Sequence, residues 1–143
     1  MKMIIGGAFQ GKMAYAKASY PDILWIDGRK CSFAALETCA GVYHFQEYIR
    51  RMLKEGKEAQ LLALVERLPQ VNAGIVIISE EVGYGLVPVD SFERKFREQA
   101  GRICTRLAAC CDRVDRVICG IGTVIKAEAC NTLAKEGNNA HED

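Results

Sequence analysis

Gly6 and, after four intervening residues, Gly11-Lys12 have the types and the spacing to cradle a polyphosphate. In such a loop glycines let backbone N–H groups face the anion, and the lysine reaches the β- and γ-phosphates. A helix beginning near Lys12 adds the positive end of its dipole. The candidate nucleotide-binding residues are Gly6, Gly7, Ala8, Phe9, Gln10, Gly11, Lys12 and Met13, with GTP or ATP as the ligand. The complete motif would continue with Ser or Thr, whose hydroxyl binds the accompanying Mg²⁺. Here that position is Met13, and a thioether is a poor ligand for a hard cation.

Carboxylates elsewhere could partly offset the missing ligand, and three are suitably placed in the sequence. Asp27 closes the apolar run Ile23-Leu24-Trp25-Ile26, and Glu80-Glu81 follow Ala73 to Ser79 directly. Both runs read as buried parallel strands, and in open α/β sheets ligands bind outside the C-terminal strand ends. Adjacent carboxylates repel and are costly to bury without a cation. Mg²⁺ held by Asp27 and Glu80 would supply one. Asp27 could also accept a hydrogen bond from a base or sugar, or serve only as a turn-forming Asp-Gly, and one glutamate could simply face water. His44 reads either as catalytic or as a satisfied polar residue at a helix start, and Arg50-Arg51 either as phosphate contacts or as a solvated face.

The elements that must position these residues follow from hydrophobic period and from breakers. Ile4-Ile5 is a strand leading into the glycine loop, and a helix follows from about Lys12 to Ala18. Ser32 caps a short helix ended by Gly41. A longer one runs from about Tyr43 to Glu55 and stops at Gly56, and a third, Lys57 to Leu68, is closed by Pro69. The apolar loop Val82 to Val89 reads as packed or as a subunit contact. Asp90 and Glu93 form a capping-box start for the longest helix, about Ser91 to Cys111, in which Gly101 suggests some close approach. Val114 to Cys119 is the last clear strand. The expected organisation is one domain over residues 1–126 and a polar tail, partly helical or disordered, over 127–143.

Composition excludes several classes. Nineteen basic and eighteen acidic residues in a chain of 143 leave a net charge of +1, which gives no footprint for nucleic acid. The longest apolar run is about six residues, short of the roughly 20 that span a bilayer, so no membrane insertion is expected. No convincing signal peptide opens the chain, and a cytoplasmic location is expected. The seven cysteines show neither a Cys-x-x-Cys pair nor a zinc spacing and read as small buried hydrophobes of a reducing compartment. The vicinal Cys110-Cys111 has redox or soft-metal binding as its alternative.

Ser79-Glu80-Glu81-Val82-Gly83-Tyr84-Gly85-Leu86-Val87-Pro88, then Phe96-Arg97, Gly101-Arg102, Arg106-Leu107-Ala108-Ala109 and Gly120-Ile121-Gly122, resemble the adenosylcobinamide kinase / adenosylcobinamide-phosphate guanylyltransferase family of cobalamin biosynthesis. The similarity runs from about Ile75 to Lys126 and recurs at Gly6-Gly7-Ala8 to Gly11-Lys12. It implies a three-layer α/β fold of the P-loop NTPase type with a mostly parallel sheet, a homotrimer, and nucleotide and corrinoid ligands. Two activities are implied: phosphorylation of the cobinamide hydroxyl, and GMP transfer through a guanylylated histidine. Gly6, Gly7, Gly11 and Lys12 match the phosphate loop. Glu81 matches the glutamate of the family's Asn-Glu-Val-Gly segment, and Glu80 stands at its asparagine. The family's His-rich stretch has no evident counterpart between Gly28 and Ala73, and His44 does not fit the nucleophile's setting. The expected catalytic residues are Lys12, Glu81 and Asp27. The alternative is a degenerate protein that binds nucleotide or corrinoid without transfer.

Overall fold

Met3, Ile4 and Ile5 supply the apolar, β-branched stretch that a doubly covered strand needs. In the computed structural model, which describes residues 1–82 and 90–127, they lie in β1 (Lys2–Gly6) at the middle of the sheet. The glycine loop follows, then α1 (Lys12–Ser19). Next come β2 (Trp25–Asp27), α2 (Phe33–Thr38), β3 (Gly41–Tyr43), α3 (Phe45–Lys54) and α4 (Glu58–Val71). After β4 (Val76–Glu80), α5 (Ser91–Cys110) leads into β5 (Arg113–Ile118) and β6 (Ile121–Ala127).

The six strands lie in the order β2-β3-β4-β1-β5-β6. β1 to β5 are parallel, and β6 returns antiparallel to β5. Alternation along the strands sends Met3, Ile75, Ile77 and Val114 into one core with α2 to α5, and Ile4, Val76, Ile78 and Val117 into a second core with Ala16 of α1. Helices therefore cover both faces, which is the three-layer α/β arrangement expected. No helix among the described residues is long and apolar enough to cross a membrane.

Local chemistry explains several boundaries. Ser32 Oγ accepts from Ala35 N–H at 3.1 Å to start α2, and Asp90 Oδ1 accepts from Phe92 N–H at 2.7 Å and Glu93 N–H at 3.1 Å to start α5. Each satisfies donors that a helix end leaves unpaired. On the sheet face under α1, Asp115 is almost fully buried, receives two hydrogen bonds from Arg113 at 2.8 and 3.1 Å, and accepts another from the Tyr15 hydroxyl. Burial pushes its carboxyl pKa up, but the Arg113 and Tyr15 hydrogen bonds outweigh it and hold the group below the usual carboxylate range. This clamp fastens α1, and with it the loop that precedes α1, to β5.

Four expectations need correction. Gly41 does not end a helix: it opens β3, and Trp25 lies so close that a side chain there would strike its ring. Tyr43 accordingly ends a strand, and α3 starts at Phe45. Pro69 does not close α4, which continues to Val71, since a proline in the last turn removes only one backbone hydrogen bond. β6 continues beyond the strand taken as the last clear one. Of the apolar loop, residues 83–89 lie outside the described residues, as does the tail beyond Ala127.

At Gly101, where a close approach by a loop or a neighbouring chain is expected, no described atom of this chain lies within 4 Å of where a Cβ would sit. A mid-helix glycine without a steric reason costs about 1 kcal/mol relative to alanine. Gly101→Ala is therefore expected to raise unfolding stability by about that amount, read as the urea midpoint shift at unchanged slope.

Candidate functional site

The C-terminal ends of β1 to β4 form one edge, and a cavity of about 380 Å³ opens there. The glycine loop is its first wall: Ala8 to Ala14 line it without a gap. The loop's shape rests on two left-handed positions, Phe9 at φ 58° and Gly11 at φ 87°. Its far side is pinned to the β5–β6 turn, where Gly120 N–H donates to Gln10 O and Cys119 N–H donates to Gln10 Oε1, both at 2.7 Å. α1 begins with no side-chain cap. Its first N–H groups therefore stay available to an anion.

Lys12 projects from the first turn of α1, and its ammonium donates to Gly7 O at 2.6 Å. Burial lowers the Lys12 pKa, while the charges of Glu80 and Glu81 oppose that shift. The lysine thus stands at the glycine loop within the field of two carboxylates.

Tyr43, His44, Gln46, Ile78 and Glu80 form the facing wall. His44 takes φ 52° at the residue before α3, which aims the strand end and the helix start at the same cavity. Gln46 is 5% exposed, and its Oε1 accepts from Glu80 N–H at 3.0 Å.

The fold partners the three predicted acids differently, although Glu80 and Glu81 both border a second cavity. Glu80 faces the cavity. Asp27 is not in its lining: Arg29 grips both its carboxylate oxygens at 2.9 to 3.1 Å, and Arg29 N–H donates to Oδ1 at 2.9 Å. Those hydrogen bonds, with a smaller contribution from His44, hold the Asp27 pKa below the ordinary carboxylate range. Glu81 lines that second cavity on the other side of the strand end, where Arg116 binds its two oxygens at 2.7 and 3.0 Å. The paired arginines of α3 serve the fold. Arg50 pairs with Glu47 and Glu93 and lies over the Phe96 ring, while Arg51 donates to Gly28 O and Cys31 O.

Among the described residues no group of three or more His, Cys, Asp or Glu side chains converges as a metal cage. Magnesium with a triphosphate asks for less: one or two carboxylates, with phosphate and water oxygens completing the octahedron. Glu80 meets that requirement, and Met13, also in the lining, adds no oxygen.

Sequence reasoning missed Gln46 and Tyr43. Gln46 carried a signal, since with Ile49 and Leu53 it occupies the spacing of the buried stripe of α3, where an amide is out of place unless bonded.

Comparison with known proteins adds the relationship. The sequence model of the cobinamide kinase / cobinamide phosphate guanyltransferase family matches residues 33–125. Bifunctional adenosylcobalamin biosynthesis proteins are similar over shorter spans. The one from Salmonella typhimurium is 46% identical over 66 residues, 46% of this chain and 35% of its own. Its counterpart from Escherichia coli is 34% identical over 80 residues, 56% of this chain and 44% of its own. A third, from Pseudomonas aeruginosa, is 32% identical over 66 residues, 46% of this chain and 38% of its own. The matched stretches therefore span less than half the length of each relative.

Proposed function

This chain belongs to the cobinamide kinase / cobinamide phosphate guanyltransferase family, and from that premise we propose that it binds GTP or ATP on the Gly6 to Met13 loop and phosphorylates the hydroxyl of a cobinamide in cobalamin biosynthesis. The observation that carries the reading is the single cavity in which the glycine loop and Lys12 face Glu80. Loop N–H groups and the uncapped start of α1 hold the β- and γ-phosphates, and the Lys12 ammonium exchanges Gly7 O for a phosphate oxygen. The acceptor's oxygen attacks the γ-phosphorus, and the bond from that phosphorus to the bridging oxygen breaks. The nucleoside diphosphate leaves with the electron pair, and the alcohol's proton passes to Glu80 and then to water. Catalysis here is positioning and charge neutralisation. A magnesium ion beside Glu80 would supply further neutralisation of the phosphate charge.

Asp27 and Glu81, each fully engaged by a guanidinium, fix the ends of their strands, and Glu81 adds to the field at Lys12. The guanylyl step is not part of this proposal. The setting is cytoplasmic, with two small molecules as partners. The test is transfer of labelled γ-phosphate from GTP or ATP to cobinamide, with and without Mg²⁺. Transfer that needs the metal supports the kinase, and no transfer with either nucleotide overturns it.

A second reading, a binder that transfers nothing, is favoured by Met13 together with the closed Asp27–Arg29 and Glu81–Arg116 pairs. Met13→Ser separates the two. Supplying the missing hydroxyl should raise Mg²⁺-dependent turnover about 10- to 100-fold in a kinase, whereas silence in both proteins fits the binder.

A further inference from the structure

The wall opposite the phosphate loop contains a hydrogen-bond donor that the protein itself does not use. The Gln46 side chain is almost wholly buried, its Oε1 is taken by Glu80 N–H, and its amide nitrogen makes no hydrogen bond among the described residues. That nitrogen is not sealed in either: among the described residues, the one sealed side-chain atom without a partner is Asp112 Oδ1. Gln46 lines the cavity, so the open end of its amide faces the space that Lys12 faces from the other side. A buried amide leaves a donor unused only at a cost unless something arrives to accept from it.

The neighbour on the same wall decides what arrives. Glu80 contributes a carboxylate, which accepts only, and Gln46 contributes N–H groups, which donate only. The Glu80 backbone N–H locks the two together by fixing the orientation of the amide. A donor beside an acceptor matches a hydroxyl, which offers one O–H and two lone pairs. A phosphate oxygen would suit the amide but be repelled by the carboxylate, and an ammonium would suit the carboxylate but not the amide.

We infer that Gln46 and Glu80 form the acceptor-alcohol subsite, the Gln46 amide donating to the alcohol oxygen while the alcohol O–H donates to Glu80. The inference rests on the kinase reading for the identity of the acceptor, and it adds a specificity residue to that reading. Holding the oxygen from its lone-pair side and the proton from Glu80 leaves the second lone pair for the γ-phosphorus.

The test is calorimetric titration of the full chain and of Gln46→Met, a side chain of similar length without the donor. Three probes are used: cobinamide, the corrinoid lacking the arm that carries the hydroxyl, and a non-hydrolysable GTP analogue. Gln46→Met should weaken cobinamide binding about 10-fold and change the other two less than about twofold. Gln46→Glu, which keeps an oxygen for Glu80 N–H and loses the donor, should show the same loss for cobinamide. Equal cobinamide affinity in all three proteins, a loss shared by the corrinoid without the arm, or a loss confined to the nucleotide analogue overturns the assignment. So does an unmodified chain that does not bind cobinamide. If the unmodified chain binds cobinamide through Gln46 yet transfers no phosphate, the kinase reading fails and the alcohol subsite stands.

Discussion

Lys12→Ala is expected to lower phosphoryl transfer by about 10² to 10³-fold while leaving the fold intact, the range seen when one donor to a developing charge is removed. The structural reason for expecting so clean a separation is that the ammonium makes a single hydrogen bond among the described residues, to Gly7 O. Its removal leaves that carbonyl beside an open cavity where water can replace it. What is lost is the one cation in the described lining of the cavity. Glu80 then faces the incoming triphosphate with no cation in the described lining to offset it, so nucleotide affinity should fall along with turnover. Steady-state kinetics with GTP and ATP, paired with thermal unfolding of the same samples, checks both halves. A variant that keeps full activity would remove the phosphate-clamp role, and one that unfolds early would make Lys12 a structural residue.

The elements around this lysine were legible to different degrees, for physical reasons. β1, β4 and most of the helices announce themselves because a buried strand needs an unbroken apolar run and a buried helix face needs a 3.6-residue stripe, while β5 shows only through Val114, Val117 and Ile118 around a polar pair. β3 has three residues, too few to show any period, and it owes its place to pairing with β2 and β4 rather than to its own composition. The Asp27–Arg29 pair lay in plain sight two residues apart, yet Asp-Gly-Arg reads as a polar turn until the geometry shows both oxygens engaged. The Glu81–Arg116 pair joins residues 35 apart, and nothing local in either segment signals it. Of the two adjacent glutamates, the strand's alternation sends Glu80 to the cavity under α1 and Glu81 to the opposite side. The sequence established that two carboxylates end β4, and only the register says which one meets a ligand.

Gly6 and Gly7 pose the same problem in sharper form, since both match the family's phosphate loop in sequence while the packing separates them. Gly6 ends the central strand, and a Cβ there would lie 2.5 Å from Val117 O, a backbone atom of the neighbouring strand. Val117 is fully buried and hydrogen-bonded into the hairpin with β6, so it has little room to yield. At Gly7 the nearest group to such a Cβ is the Gln10 side chain at 3.7 Å, an ordinary contact. Gly6→Ala is therefore expected to cost about 1–3 kcal/mol or more, the range of overpacked cores, and to push the start of the phosphate loop off β5. The shift should also loosen the Gln10 tether to Cys119 and Gly120, which stands on the same β5–β6 turn. Nucleotide binding should then fall further than stability alone predicts, because the loop N–H groups no longer converge. Gly7→Ala, by contrast, should leave unfolding stability within about 0.5 kcal/mol. Urea unfolding and nucleotide calorimetry on both variants read these effects, and equal behaviour of the two would mean that β1 and β5 have room the structure does not show.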